Sequence, residues 1–218
     1  QDFIVVIRPD KLERKTVIEL KEYTQNYYSF YFDAISNFPE KVNLIPYFDV
    51  VFSYEKEDVK KYNLRFITNF IYDFETSNNT KPEYKIFNIS SYDNRFEALE
   101  KIASYLKNKD IDYKIIVRKE KAETSNLVTF TQEYIPLEKV KDLLLKADVL
   151  LDIQKENQHG LSFRVFESLG YKRKLITTNK DIVNYDFYNA NNILFVDANN
   201  IFIPEAFFET PYQEISKE

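Results

Sequence analysis

The chain has 218 residues, 44% of them apolar and 30% charged, with a formal net charge of -5. This length and apolar fraction allow one large or two small α/β domains with buried cores, and the interspersed, slightly acidic charges argue against a nucleic-acid partner. The absence of cysteine and the single histidine exclude disulfides, thiolate chemistry and any multi-histidine metal site.

The amino-terminal third alternates predicted strands and helices. A short apolar run ended by proline, Asp2 to Pro9, predicts a buried parallel strand, and Leu12 to Tyr23 has apolar residues at helical spacing. Three more strands and a short polar helix are predicted: Tyr27 to Ala34, Tyr47 to Tyr54, Leu64 to Asp73, and the helix Glu55 to Tyr62. This alternation predicts a parallel, doubly wound sheet. We expect this domain to be incomplete, because the chain begins with a strand and lacks methionine.

A polar segment, Phe74 to Glu83, separates two apolar regions and predicts a linker, so the domains are expected to span residues 1–78 and 79–218. The second domain repeats the alternation more clearly. Its predicted strands are Tyr84 to Ser90, Tyr113 to Arg118, Asp148 to Ile153, Lys174 to Thr178 and Asn192 to Asp197, and its predicted helices are Asn94 to Lys109, Pro136 to Ala147 and Leu161 to Leu169. This order is typical of nucleotide-binding α/β domains.

Both glycines of the chain, Gly160 and Gly170, lie close together near one predicted helix. Gly170 follows that helix, where a left-handed residue commonly closes a helix. Gly160 follows a strand and precedes the helix, and ligands of open α/β sheets bind where strands end and helices begin. A glycine at a helix N-terminus lets a phosphate approach the backbone, and His159 and Ser162 could add donors. The alternative is an N-cap glycine followed by a solvated serine.

Arg164 and Glu167 share one face of the same helix, because they are three residues apart. A surface ion pair, worth a few tenths of a kcal/mol, is the simpler explanation of this spacing. However, the pair lies one to two turns from the candidate phosphate site, where a carboxylate can accept hydrogen bonds from ribose hydroxyls. The helix therefore offers both parts of a nucleotide site.

The segment "ADVLLDIQKENQHGLSFRVFESLGYKRKLITTN" resembles the donor-binding segment of bacterial glycosyltransferases of the two-domain GT-B architecture, which act in lipopolysaccharide, capsule or exopolysaccharide biosynthesis. In that group a strand is followed by a Gln-x-Gly-Leu-Ser/Thr-x-Arg-x-x-Glu helix and a Lys-x-Ile-Thr-Thr-Asn strand. The upstream segments "YYSFYFDAISN" and "YFDVVFSYEKEDVKKYNLRFI" are similar to the amino-terminal half of the same group. The resemblance implies an α/β, GT-B-like fold of two Rossmann-like doubly wound parallel-sheet domains.

The resemblance also implies roles for individual residues. The backbone around Gly160, Leu161 and Ser162 would face the donor diphosphate. Glu167 would face the ribose, with Arg164 as a supporting cation. The sequence departs from the retaining enzymes that use two glutamates separated by seven residues, because His159 stands where the first glutamate would be. The contacts to the transferred sugar are therefore left open.

Two arginines match positions where such enzymes often present phosphate-binding cations. Arg95 comes just after the first strand of the second domain, and Arg118 ends its second strand. For each arginine a solvated surface position is an equal alternative. Together with His159, Gly160, Leu161, Ser162, Arg164 and Glu167, they complete the set of predicted donor-binding residues.

Several aspartates are candidates for other roles. Asp33 ends a predicted strand, so it is the candidate for acceptor binding or general base, with a capping or loop role as the alternative. Asp49 and Asp58 are weaker candidates, interpreted as a buried turn group and a surface helix charge. Asp110 and Asp112 form an Asp-x-Asp pattern, but they precede a strand instead of ending one, so we expect no metal site. The helix N-terminus and cations would stabilise the leaving diphosphate without a metal.

The resemblance implies a hexosyltransferase-like enzyme, which we expect to need neither a metal nor a cofactor. It would move a sugar from a nucleotide-sugar donor to a surface polysaccharide, lipopolysaccharide or lipid-linked glycan acceptor. The alternatives are a non-catalytic nucleotide- or sugar-binding module and a sugar-nucleotide hydrolase or epimerase. No apolar run approaches the ~18 residues of a membrane span, so a soluble, cytoplasmic protein is expected. Lys172 to Lys174 are expected in a solvated turn, with a peripheral contact to the inner face of an anionic membrane left open.

Overall fold

The computed structural model describes residues 2–74, 81–156 and 158–214. The chain divides into two compact units. The amino-terminal unit contains Gln1–Asn69 and Glu156–Leu161, and the carboxyl-terminal unit contains Phe70–Lys155 and Ser162–Glu218. The predicted boundary after residue 78 lies outside the described residues, as does most of the predicted linker. The chain changes unit at residue 70 and enters the amino-terminal unit again for the short loop before Ser162.

The amino-terminal unit contains one parallel four-stranded sheet, in the order β1-β2-β3-β4. Its elements are β1 (Ile4–Ile7), α1 (Arg14–Lys21), β2 (Tyr27–Tyr31), β3 (Val50–Ser53), α2 (Lys56–Tyr62) and β4 (Arg65–Phe66). Between β2 and β3 the chain forms two stretches of 3₁₀ helix, Ile35–Asn37 and Pro39–Tyr47, the second of which contains Pro46. Proline lacks the backbone N–H of an α-helical ladder, which favours short helical turns here.

A core of aliphatic and aromatic side chains stabilises this unit. The tyrosines within it are accommodated because their hydroxyls have partners. Tyr27 donates to the carbonyl oxygen of Val17 at 3.1 Å, and Tyr31 donates to that of Lys41 at 2.9 Å. The buried core side chains are Val6, Val17, Tyr27, Tyr31, Ile35, Leu44, Phe48 and Val51.

All four predicted strands of this unit are shorter than the sequence suggested, and β1 is an edge strand with Val5 and Ile7 exposed instead of the predicted buried strand. β2 ends at Tyr31, and Asp33 then accepts hydrogen bonds that fix the following turn. The strand predicted over Leu64 to Asp73 is wrong beyond its first residues, because only β4 pairs with β3. β4 is the edge strand of the sheet, so the apolar residues after it have no next strand to pair with.

The carboxyl-terminal unit contains a parallel six-stranded sheet, in the order β10-β9-β8-β5-β6-β7. Its first elements are β5 (Tyr84–Ser91), α3 (Phe96–Asn108), β6 (Tyr113–Arg118), β7 (Thr129–Thr131) and α4 (Leu137–Leu145). They are followed by β8 (Ala147–Asp152), α5 (Phe163–Gly170), β9 (Lys174–Thr177), β10 (Ile193–Phe195) and α6 (Glu205–Glu209). The two parallel sheets confirm the predicted pair of Rossmann-like α/β units. β7 and α6 are elements that the sequence did not predict.

The strand order of this unit reverses next to β5. The chain builds outward from β5 through β6 to β7, and then returns to place β8 on the other side of β5. The carboxyl ends of β5 and β8 therefore lie side by side, and the loops after them lead in opposite directions. Such a reversal opens a crevice above the strand ends, which is where open α/β sheets bind ligands.

The helix after β8 begins and ends later than predicted. α5 spans Phe163–Gly170 instead of Leu161 to Leu169, with Ser162 as the N-cap residue. Gly170 is the last helical residue and does not have a positive φ, so the expectation of a left-handed glycine cap is wrong. Lys172 takes the left-handed conformation instead, with φ of 53°. Gly170 is required for another reason, because a Cβ there would overlap the carbonyl oxygen of Asp73.

The basic triplet Lys172 to Lys174 is not a solvated turn. Arg173 and Lys174 are buried, with only 7% and 5% of their surfaces exposed. Arg173 donates to the carbonyl oxygen of Leu145 at 2.6 Å, and Lys174 Nζ donates to that of Phe207 at 2.6 Å. Only Lys172 keeps its charge at the surface, paired with Glu214. No helix of the described residues is long and apolar enough to cross a membrane.

Candidate functional site

A cavity of about 250 Å³ opens above the carboxyl ends of β5 and β8, at the reversal of the strand order. All the residues that line it belong to the carboxyl-terminal unit. The apolar part of its wall includes Phe96, Leu99 and Phe163. Its polar lining consists of Asn88, Ser90, Ser91, Arg95, Asp152, Ser162, Arg164 and Glu167. Four of the predicted donor-binding residues therefore meet here: Arg95, Ser162, Arg164 and Glu167.

Asp152 is the most buried carboxylate of the cavity, with 6% of its surface exposed. It is the last residue of β8, and its two oxygens are held by different hydroxyls. Ser162 Oγ donates to Oδ1 at 2.7 Å, and Thr177 Oγ1 donates to Oδ2 at 2.9 Å. Ser162 is the N-cap residue of α5, but its hydroxyl turns toward Asp152 and accepts no hydrogen bond from the backbone of the helix. These contacts join the end of β8 to β9 and to the start of α5.

Arg164 and Glu167 form a largely buried ion pair on α5, with Nη1 2.7 Å from Oε2. The surface pair that their spacing suggested is therefore not what forms. Arg164 also donates from Nη2 to the carbonyl oxygen of Ile89 at 3.4 Å. The other oxygen of Glu167 accepts a hydrogen bond from the hydroxyl of Tyr72. Burial, and next the hydrogen bond to Glu167, raise the pKa of Tyr72 well above its usual range, so Tyr72 remains a donor.

Arg95 reaches the cavity from the N-cap position of α3. Its Nε and Nη2 atoms bind both carboxylate oxygens of Asp93, at distances from 2.7 to 3.1 Å. These hydrogen bonds raise the pKa of Arg95 above its usual value against the opposing effect of burial. The guanidinium is therefore fixed in orientation before any ligand binds.

Arg118 does not take part in the cavity lining. It ends β6 as predicted, but its guanidinium lies over the ring of Tyr134, 3.7 Å from the ring centre. A cation over an aromatic face is stabilised by the ring quadrupole, which gives Arg118 a packing role in this position.

The loop that carries His159, Gly160 and Leu161 belongs to the amino-terminal unit. The backbone N–H groups of His159 and Gly160 donate to one carboxylate oxygen of Glu55, at 2.7 and 3.2 Å. Asn69 Nδ2 donates to the carbonyl oxygen of Leu161 at 3.0 Å. The backbone N–H of Gly160, which the resemblance assigns to the donor diphosphate, thus donates to a carboxylate of the chain itself.

Close packing explains why a glycine occupies position 160. A Cβ on Gly160 would overlap the ring of Tyr54 and would lie 2.8 Å from its carbonyl oxygen. The hydroxyl of Tyr54 also accepts a hydrogen bond from the side chain of Gln158. Glu55 itself is 2% exposed, and burial raises its pKa although the two backbone N–H groups act to lower it.

The other aspartates have structural contacts. Asp33 Oδ1 accepts from the backbone N–H of Ala34 at 3.1 Å and from Asn37 Nδ2 at 2.7 Å, which are contacts within the loop after β2. Asp58 is buried and accepts from the backbone N–H of Ile35 at 2.8 Å. Its interpretation as a surface helix charge is therefore wrong. Asp112 accepts from the backbone N–H of Lys85. In the described part of the chain no three acidic or histidine side chains are grouped to hold a metal ion.

The sequence did not indicate five polar residues of this region: Asn88, Ser90, Ser91, Asp152 and Tyr72. The position of Asp152 could have been recognised from the sequence, because it lies at the end of a buried strand directly before the Gly160 loop, where open α/β sheets bind ligands. Asn88 and Ser90 lie near the end of β5, where the same rule applies. Tyr72 had no such signal, since it reaches Glu167 from a segment distant in sequence and outside the regular elements.

Comparison with known proteins gives similarity at the level of solved structures. No family model and no curated protein sequence matches the chain. A protein from Listeria monocytogenes assigned as a UDP-N-acetylglucosamine 2-epimerase is similar over 95% of this chain and 63% of its own, with 10% identity and a TM-score of 0.47. The carboxyl-terminal domain of the group 1 family glycosyl transferase LpcC from Francisella tularensis matches over 60% of this chain and 79% of its own, with 11% identity and a TM-score of 0.37.

The glycosyltransferase SnogD from Streptomyces nogalater covers 89% of this chain and 68% of its own, with 8% identity and a TM-score of 0.42. At these identities the similarity concerns the fold alone, and one fold hosts many functions. The chain spans 63% of the length of the Listeria structure.

Proposed function

We propose that the carboxyl-terminal unit binds a nucleotide sugar, and that the protein transfers the sugar to a hydroxyl of a surface glycan, either a polysaccharide or a lipid-linked glycan. The observation that supports this proposal is the polar cavity at the reversal of strand order in a parallel sheet. This position is the ligand site of doubly wound sheets. The cavity also contains four of the residues that a resemblance to polysaccharide-forming transferases singled out.

The size of the cavity restricts what enters it. Pockets that enclose a drug-sized ligand measure ~300 to 1,000 Å³. At about 250 Å³ this cavity fits one ring system of a nucleotide sugar, with the remainder of the donor outside it. Arg95 and Arg164 line the cavity and would be the cations that meet a diphosphate at its edge. Arg118 and the loop of His159 to Leu161 remain predicted contacts of the nucleotide-sugar donor. They do not line this cavity, and their partners in the structure are Tyr134 for Arg118 and Glu55 for the loop.

In the proposed reaction, the oxygen of an acceptor hydroxyl attacks the anomeric carbon of the donor sugar. The bond from that carbon to the diphosphate oxygen breaks, and the electron pair leaves with the nucleoside diphosphate. Arg95 and Arg164 would offset the charge that develops on the leaving oxygen, so the reaction would proceed without a metal or cofactor. A general base takes the acceptor proton, and Asp33 remains the predicted candidate for it.

A thermal-shift screen tests donor binding. We expect one of UDP-, GDP-, CDP- or ADP-sugars to raise the Tm, because a ligand at 100 times its Kd stabilises the folded state by ~2.7 kcal/mol. Arg164→Ala and Glu167→Ala should remove that increase. Glu97→Ala is the matched control, since Glu97 is an exposed residue of α3 in the same unit. An unchanged response in the Glu167 and Arg164 variants would show that the donor binds elsewhere.

Turnover then separates the enzyme from its alternatives. We expect release of the nucleoside diphosphate from the stabilising donor to depend on added glycan acceptor. A donor that binds without turnover would indicate a non-catalytic module. Product formed from the donor alone, at a rate that no acceptor raises, would indicate a hydrolase or an epimerase.

A further inference from the structure

β1 forms one edge of the amino-terminal sheet, and its outward side chains are apolar and exposed. It pairs with β2 on one side, and no strand of the described residues pairs with it on the other. Phe3 is 66% exposed, Val5 48% and Ile7 55%. Edge strands of natural proteins usually carry a charge or a proline, which prevents pairing with another chain. From Phe3 to Ile7 the sequence contains neither.

The other sheet edges of the described residues are shorter or less exposed. β4 has two residues, one of which is Arg65. β7 has three residues, and it begins and ends with a threonine. β10 also has three residues, but Ile193 is only 1% exposed and its N–H donates to the carbonyl oxygen of Asn189. β1 is thus the longest of the four edges, and it is the one that most needs a partner.

The ladder with β2 determines which backbone groups of β1 are free. The N–H of Ile4 donates to the carbonyl oxygen of Asn26 at 3.0 Å, and the N–H of Arg8 donates to that of Phe30 at 3.1 Å. In a ladder the backbone groups of successive residues point to opposite sides of the strand. The even-numbered residues of β1 therefore point to β2. The odd-numbered residues from Phe3 to Ile7 present their N–H and C=O groups to the free edge.

These free groups are arranged symmetrically about Val5. When a second copy of β1 runs antiparallel with Val5 opposite Val5, Phe3 of each copy lies opposite Ile7 of the other. The odd-numbered residues then form hydrogen-bonded pairs, each of which exchanges two N–H···O bonds. The same register places Asp2 opposite Arg8 of the second copy, and these residues have opposite charges. The edge is therefore complementary to itself in both backbone pattern and charge.

This pairing would leave the core of the unit unchanged. Val6 points to the other face of the sheet, where it belongs to the same buried cluster as Val17 of α1. The exposed side chains would instead become cross-strand neighbours, with Phe3 next to Ile7 and Val5 next to Val5. Apolar cross-strand pairs of this kind stabilise antiparallel ladders.

We propose that two copies of this protein associate through β1, which pairs antiparallel with itself about Val5 and joins the two four-stranded sheets into one. This inference goes beyond the proposed function and does not depend on it. A ladder of this length buries less surface than a standard interface of ~1,600 Å², so the dimer forms reversibly, at micromolar or higher concentrations. Both free edges are used in the pair, and assembly stops at two copies.

Sedimentation velocity of the wild-type chain is the first test. We expect the mass to rise from that of one chain to that of two as the concentration is raised to about 1 mM. Hydrogen exchange should show, over the same concentrations, added protection in the peptide that contains β1. Peptides from β4 and β7 should show no change, because those edges remain free.

Val5→Lys and Val5→Glu test the register. Residue 5 faces its own counterpart, so either variant opposes two like charges and should weaken association by roughly tenfold or more. An equimolar mixture of the two variants places lysine opposite glutamate and should restore association. Tyr23→Lys is the matched control, because Tyr23 is 78% exposed in the same unit and lies outside β1. It should associate like the wild type, and circular dichroism reports whether each variant folds.

Four results would overturn the proposal. The wild type could remain a single chain up to about 1 mM, or its mass could continue to rise beyond two copies. It could also form a dimer without added protection of β1, which would place the interface elsewhere. These three results require no variant to fold. The fourth is a mixture of folded Val5→Lys and Val5→Glu chains that associates no better than either variant alone.

Discussion

The two glycines are needed for packing, and neither owes its place to backbone conformation. Gly160 lies against Tyr54 and Gly170 lies against Asp73, both in segments far away in sequence. The sequence identified Gly160 and Gly170 as unusual but assigned them to a phosphate site and a helix cap. Local rules describe the conformations that glycine permits. They do not reveal which distant segment packs so closely against a glycine that a Cβ would not fit. For that reason the sequence did not predict the contacts of Gly160 with Tyr54 and of Gly170 with Asp73.

Gly170→Ala should lower the free energy of unfolding by about 1 to 3 kcal/mol. The added Cβ would overlap the carbonyl oxygen of Asp73, a backbone atom that cannot rotate away, and would lie 2.9 Å from Ile71 Cγ2. Urea unfolding followed by circular dichroism measures the change.

Lys172→Gly is the companion substitution. Lys172 holds the left-handed conformation after α5, which costs a side-chain-bearing residue about 1 kcal/mol. Glycine there should therefore leave stability unchanged or raise it slightly, after the loss of the exposed pair with Glu214. A strongly destabilised Lys172→Gly together with a neutral Gly170→Ala would restore Gly170 as the helix cap.

Glu55 should make stability depend on pH in an unusual direction for a glutamate. Burial raises its pKa above the ordinary value of 4.5, so the folded state holds the proton more tightly than the unfolded chain does. Its stabilising contribution is then present below pH 4.5 and is lost as the pH rises through the folded pKa. Glu55→Gln should accordingly gain in Tm relative to the wild type as the pH rises across that interval.

Glu97→Gln serves as the control of opposite sign. The hydrogen bond from Lys101 lowers the pKa of Glu97, so that its contribution is present above pH 4.5 and declines as the pH falls. Thermal unfolding between roughly pH 4 and pH 8 gives both trends. Parallel pH profiles for Glu55→Gln and the wild type would show that Glu55 titrates normally.

At the scale of elements, the strands of the carboxyl-terminal unit were predicted well, because buried parallel strands are continuous apolar runs with clear ends. β6 has the predicted bounds, and β8 differs by one residue at each end. β4 and β7 lie at the edges of their sheets and are short, so their patterns are weak. Tertiary contacts decide whether a short segment pairs at the edge of a sheet, and the local sequence pattern gives no information about those contacts.

Lys174→Met should loosen α6 more than it loosens the rest of its unit. Lys174 Nζ donates to the carbonyl oxygen of Phe207 at 2.6 Å and to Thr210 Oγ1 at 2.7 Å, which ties β9 to α6. Methionine preserves the length of the side chain and loses both hydrogen bonds. Hydrogen exchange followed by mass spectrometry should show lost protection in peptides that contain α6.

Lys172→Met is the matched control, because Lys172 is two residues away and pairs only with Glu214 among the contacts described for it. It should leave the exchange of α6 unchanged. Equal loss of protection in the two variants would show that the Nζ contacts of Lys174 do not hold the helix.

At the scale of the whole molecule, each unit has its own core. Ile102 on α3 is fully buried among the side chains of the carboxyl-terminal unit, and Val17 on α1 is fully buried in the amino-terminal unit. The two clusters share no residue. A cavity made in one core therefore removes contacts from that unit alone.

Ile102→Ala should cost about 2 to 5 kcal/mol of unfolding free energy in the carboxyl-terminal unit. Val17→Ala should produce its loss in the other unit. Hydrogen exchange of peptides from β5 and β8, compared with peptides from β2 and β3, resolves the two. Equal loss of protection in all four strands after either substitution would mean that the units unfold as one.

The short loop Glu156–Leu161 has a consequence for how the protein can be divided. Its contacts with Tyr54 and Glu55 place it in the amino-terminal unit, while both of its neighbours along the chain belong to the other unit. A gene cut at residue 70 would thus yield a carboxyl-terminal fragment with an unpaired loop, and an amino-terminal fragment whose Glu55 lacks both backbone donors. Recombination between related genes would therefore transfer an intact amino-terminal unit only if both of its sequence stretches, Gln1–Asn69 and Glu156–Leu161, were transferred together.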